Sequence, residues 1–105
     1  MNADELHETE DRLALAASRG SHAQSLMNDE LLAECFKNLE EAYIATWRST
    51  NFDDVQGREK LFIAINVIGK VKEQLGRVAA NGELAKAEIE ELVRAAERKK
   101  RFGLF

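Results

Sequence analysis

The chain reads as an all-α protein: a long antiparallel helical hairpin of coiled-coil type, flanked by N- and C-terminal helices in a small helical bundle. Three observations predict this. The 105 residues contain no proline and only six glycines, too few turn formers for a many-stranded β fold. Charged residues make up 32% and hydrophobic residues 45%, with the Ala, Leu, Glu, Lys and Arg content of helical proteins. Apolar residues recur at three- and four-residue steps rather than alternating. The length suits one domain covering residues 1–105, with 1–20 expected as a semi-independent helix.

The first helix is expected over Ala3–Ser18. Asp4, Glu5, Glu8, Glu10 and Asp11 suit the positive end of its dipole. Its apolar residues, Leu6, Leu13, Leu15 and several alanines, form a thin stripe, so it must dock onto something to persist. Gly20 is expected to cap its C-terminus, and His22–Asn28 to form a connector, with one or two helical turns as the alternative.

Asn28 or Asp29 can cap the second helix, which runs to about Ser49. Its stripe is Leu32, Phe36, Leu39, Tyr43 and Trp47, with Glu40 off it. Thr50–Asp53 is a turn signal, and Asp53 or Asp54 can cap the third helix. That helix is expected from Asp54 to about Ala80, about 40 Å long. Leu61, Ile65, Ile68, Val71 or Lys72, Leu75 and Val78 space at the 3.5-residue period of a coiled-coil seam. Asn81-Gly82 is expected to end it, and a last helix to run from Glu83 to about Arg101, stopped by Gly103.

Folding about Phe52 pairs Trp47 with Gly57, Tyr43 with Leu61, Leu39 with Ile65 and Phe36 with Ile68. In that register Gly57 leaves room for the Trp47 indole and Gly69 sits beside Phe36 and Cys35. Phe62, Ile63, Val67 and Ile68 make the third helix apolar on more than one side, so flanking helices or another copy must cover it.

The net charge of −4 hides an asymmetry. Residues 1–54 hold twelve acidic and four basic residues, a balance of −8; residues 55–105 hold seven and eleven, a balance of +4. Exposed ion pairs across a hairpin would use this, each worth at most about 1 kcal/mol.

Motifs for chemistry are sparse. There is no Walker loop, no glycine-rich dinucleotide fingerprint and no paired Cys-x-x-Cys. His7 and Asp11 have helical spacing but read as a solvated pair, His22 as a local polar contact. Cys35, beside Phe36, is expected to be buried and structural. The Glu40-Glu41 and Glu88–Glu91 carboxylates read as solvated faces. Hence no cofactor, no metal site and no enzymatic activity are expected. One cysteine suits a reducing cytoplasm, and no signal segment or membrane span is expected.

Partner-binding candidates fall in two places. Trp47, Arg48, Phe52 and Arg58 surround the turn, where exposure of Phe52 would mark a contact tip. Arg98, Lys99, Lys100, Arg101, Phe102 and Phe105 form a basic helix end with an apolar tail that resembles a docking peptide. Protein partners, self-association included, are expected; nucleic acid is a weaker option, because of the aromatic or hydrogen-bonding residues that would strengthen a short basic run only Phe102 and Phe105 follow it.

From Leu26 onward the pattern resembles short helical proteins encoded in bacteriophages and prophages. The residues that carry this are Asn28-Asp29-Glu30-Leu31-Leu32 before Phe36, Ala45-Thr46-Trp47-Arg48-Ser49-Thr50, Arg58-Glu59-Lys60-Leu61, and Val78-Ala79-Ala80-Asn81-Gly82-Glu83-Leu84. The resemblance implies a phage context and an assembly role, in capsid assembly or DNA packaging, placing the protein in the bacterial host's cytoplasm or with the virion. It assigns no functional residue. The alternative is a DNA-packaging accessory resembling small terminase subunits; the acidic first half and the lack of a basic recognition helix depart from that pattern.

Overall fold

Local hydrogen bonds at the helix ends set the architecture. In the computed structural model, which describes residues 2–103, the chain is all-α: α1 (Ala3–Asn28), α2 (Glu30–Ser49) and α3 (Val55–Arg101). Asn2 opens α1 by accepting from the Glu5 amide at 2.8 Å, while the Glu5 carboxylate reaches back to the Asn2 amide at 3.4 Å. This is a reciprocal capping box. Asp29 caps α2, its carboxylate accepting from the Leu32 amide at 2.8 Å. Asp54 caps α3 by accepting from the Gly57 amide at 3.0 Å. After Arg101 the chain leaves α3 through Gly103, whose φ of +68° is the left-handed conformation glycine adopts without strain. No helix among the described residues is long and apolar enough to cross a membrane.

Two expected boundaries are absent. α1 passes through Gly20 and the supposed connector to Asn28, and only Asp29, in an extended conformation, separates it from α2. α3 runs through Asn81-Gly82, so the expected third and fourth helices are one helix of 47 residues. Both glycines have the same physical reason. The chain divides into two compact units, one formed by residues up to Gln24 with those from Arg77 on, the other by Ser25–Gly76. In the first unit α1 and α3 run antiparallel and touch backbone to backbone at Gly20 and Gly82. A Cβ on Gly82 would come within 2.5 Å of the Gly20 Cα and 3.1 Å of the Ala16 carbonyl; one on Gly20 would meet the Gly82 Cα and lie 3.1 Å from the Val78 carbonyl. Around this point the buried residues are small: Ala23, Ala79 and Ala85, with Leu13. Each glycine costs about 1 kcal/mol of helix propensity. The close approach that glycine permits returns that cost as dispersion contact.

The second unit is the hairpin of α2 with the first half of α3. Leu32, Phe36, Glu40, Tyr43 and Trp47 line the inner side of α2; Leu61, Ile65, Ile68 and Leu75 line that of α3. Here the expected stripe needs correcting. Glu40, not Leu39, takes the inward position, where its carboxylate meets Lys72 Nζ at 3.2 Å. Leu39 is exposed. The Glu40–Lys72 contact joins positions whose numbers sum to 112, and Arg58 stacks on Trp47 near the turn at a sum of 105, beside the 104 expected. A Cβ on Gly57 would run into the Asp54 cap. Gly69 has open space around it rather than Phe36 and Cys35.

The glycines should therefore respond oppositely to alanine. Gly20→Ala and Gly82→Ala should each lower stability by about 1–3 kcal/mol, because opposing backbone cannot yield. Gly76→Ala, with nothing within 4 Å of the added methyl, should raise it by about 0.5–1 kcal/mol. Chemical denaturation of the three variants checks both signs.

Candidate interaction surfaces

The turn between α2 and α3 builds the better-defined candidate. Thr50 ends α2 by giving both its amide (3.2 Å) and its hydroxyl (2.6 Å) to the Trp47 carbonyl. The Asp54 amide then donates to Asn51 O at 3.1 Å. This closes the turn with Phe52 at its apex and nothing packed over it: the side chain is 93% exposed. Arg58, on the first turns of α3, reaches back over the turn. Its guanidinium lies 4.8 Å from the Trp47 ring centroid and 5.7 Å from that of Phe52, and Nη1 donates to Thr50 Oγ1 at 3.0 Å. The Thr50 hydroxyl thus accepts from Arg58 while donating to Trp47 O, which holds the guanidinium in one orientation. Trp47, Phe52 and Arg58, with Val55, Glu59 and Phe62, line a shallow hollow of about 250 Å³. Such a site can take an aromatic or apolar side chain against Trp47 and Phe52 and an acceptor on the remaining Arg58 donors.

The structure thus joins Trp47, Phe52 and Arg58. Arg48 stands outside this cluster. One residue beyond Trp47, it is turned about 100° around α2.

The second candidate lies at the end of α3. Arg98 pairs with Glu91 at 3.2 Å, and Arg94 with Glu90 at 3.5 Å, all exposed. Lys99, Lys100 and Arg101 are exposed. Phe102 is 68% exposed. Phe105, and the apolar end it forms with Leu104, lie outside the described residues.

Other expectations shift. Cys35 is an exposed free thiol rather than a buried one, because it precedes the inward Phe36 and so points off the seam. His7 approaches Glu10, at 3.9 Å, rather than Asp11. No group of three or more potential metal-ligating side chains occurs among the described residues. Sequence reasoning missed an apolar groove of about 370 Å³ in the hairpin unit, where Leu26 and Met27 face Phe36 and Leu75 beside the Glu40–Lys72 pair. The apolar Leu26-Met27 step inside a supposed connector was the available signal.

Comparison with protein-family models, with curated proteins and with solved structures returned no match.

Removing the guanidinium should loosen the turn measurably. Arg58→Ala should cost about 0.5–1 kcal/mol in urea unfolding and shift Trp47 fluorescence to the red, as expected for an exposed cation–π contact. Phe52→Ala, at an exposed position, should stay within about 0.5 kcal/mol of the parent chain.

Proposed function

We propose that the chain is a non-catalytic interaction module that presents the hairpin tip to a protein partner in phage or prophage assembly or DNA packaging. The observation that carries this reading is Phe52. A large aromatic side chain is held in water at 93% exposure, next to an arginine that a hydroxyl and an indole keep in place. Exposing it costs hydrophobic burial worth about 1.5–3 kcal/mol. An aromatic–arginine pair in a fixed geometry is the type of group that dominates binding energy at protein interfaces. The phage setting comes from the sequence resemblance.

The test is capture from a lysate of an induced prophage, using the full chain and a Phe52→Ala/Arg58→Ala variant as baits. The expected result is a phage structural or packaging protein retained by the first and lost by the second. Equal retention by both baits would remove the tip from the reading.

A second reading has one observation in its favour, the exposed Lys99, Lys100 and Arg101 at the end of α3. These side chains could contact nucleic-acid phosphates. The C-terminal end of a helix dipole carries partial negative charge, and Glu90, Glu91 and Glu97 stand on the same helix segment, so local charge opposes phosphate. If DNA is the partner, a mobility shift of duplex DNA should weaken steeply with salt and disappear when Arg98, Lys99, Lys100 and Arg101 are neutralised together.

A further inference from the structure

The last turn of α1, the first turns of α2 and the middle of α3 meet around the groove of about 370 Å³. That volume lies at the small end of the range in which proteins hold small molecules, about 300–1,000 Å³. The half-buried Leu32, Phe36 and Leu75 line it, together with Leu26 and Met27. Two of the three segments are fixed to each other. The Asp29 amide donates to the Leu26 carbonyl at 3.2 Å, and the Asp29 carboxylate accepts from the Leu32 amide at 2.8 Å. The groove is therefore pre-formed, and a molecule entering it pays little for ordering the protein. Met27, unbranched and polarisable, adapts to the shape of what enters. Ala33 also lines the groove and is exposed, so its small side chain leaves space that a larger one would fill.

The charges at the groove are unequal. They come from Lys37, Glu40 and Lys72. The Glu40 carboxylate holds the Lys72 ammonium at 3.2 Å. Lys37 stands three residues before Glu40 on α2 and so on the same side of that helix. Two ammonium groups thus meet one carboxylate beside apolar surface, a balance of +1. One added anionic group brings this balance to zero. A cation would raise it, and a neutral molecule would leave it uncompensated.

We infer that this groove binds a small apolar molecule ending in one carboxylate, of the fatty-acyl or aryl carboxylate class. The hydrocarbon part lies against Met27, Phe36 and Leu75. The carboxylate meets Lys37 and the Lys72 ammonium that Glu40 positions. Apolar lining with a few placed charged groups is the usual make-up of such sites: the lining supplies affinity and the charges fix which end points out. The inference goes beyond the interaction role proposed above and uses none of the tip residues.

The experiment titrates octanoate into the full chain, with 1-octanol and octylammonium as its neutral and cationic counterparts. Binding is followed by NMR at the Met27 methyl and the Phe36 ring. The expected result is a saturable shift with octanoate and weaker binding of both counterparts. Lys37→Gln should weaken octanoate about two- to fivefold, the worth of one exposed ion pair, and leave 1-octanol unchanged. Ala33→Leu, at an exposed helical position, should keep the parent melting temperature and abolish the binding of octanoate and 1-octanol alike. Three results would each overturn the inference: no saturable shift with octanoate, a counterpart that binds as tightly as octanoate, or Lys37→Gln and Ala33→Leu chains that bind it like the parent. Groove resonances that move with chain concentration alone would also overturn it, because a second copy would then occupy the groove.

Discussion

A helix of 47 residues holds together in water only where something packs against its apolar stripe. Everything else in this protein follows from how α3 meets that constraint. Its first half is packed by α2 and its second half by α1, and the two contacts use different physics. Against α1 the side chains are removed: glycines and alanines let two backbones touch, and contact comes from many short approaches. Against α2 the side chains are large, the seam is looser, and an ion pair occupies a position a leucine could have taken.

At the glycine contact small residues are buried where the backbones meet, while larger side chains of the same unit, Leu15 and Leu84 among them, stay exposed. In the hairpin seam, placing Glu40 inward is tolerable because Lys72 answers its charge and both remain partly wetted, so desolvation stays small. Leu39 is exposed beside this pair, as are Leu31, Ile63, Val67 and Val71. The tip is independent of this, because its order comes from hydrogen bonds within the turn and from Arg58 stacking on Trp47.

Much of the local structure was legible in the sequence. The caps, each narrowed to two neighbours of which Asp29 and Asp54 serve, the stop at Gly103, and the grouping of Trp47, Phe52 and Arg58 each depend on residues a few positions apart. Chemistry at that range is read directly from residue type and spacing. Arg48 misled, since proximity in sequence to Trp47 does not survive a rotation of about 100°. Cys35 misled for the same reason in reverse: adjacency to the inward Phe36 suggested burial, whereas adjacent helical residues face different ways.

By itself the sequence determined that the chain is helical, where two of the three helices are capped, and that its middle turns. Those outcomes rest on backbone hydrogen bonding and on the absence of proline. The tertiary structure alone decided the role of Gly20 and Gly82. Glycine suits a left-handed helix end and a backbone-to-backbone contact equally well, and only the opposing helix, distant in sequence, distinguishes the two. It also decided between Leu39 and Glu40. Both lie within reach of the same seam at 3.6 residues per turn, and only the folded chain places Glu40 against Lys72 and leaves Leu39 exposed.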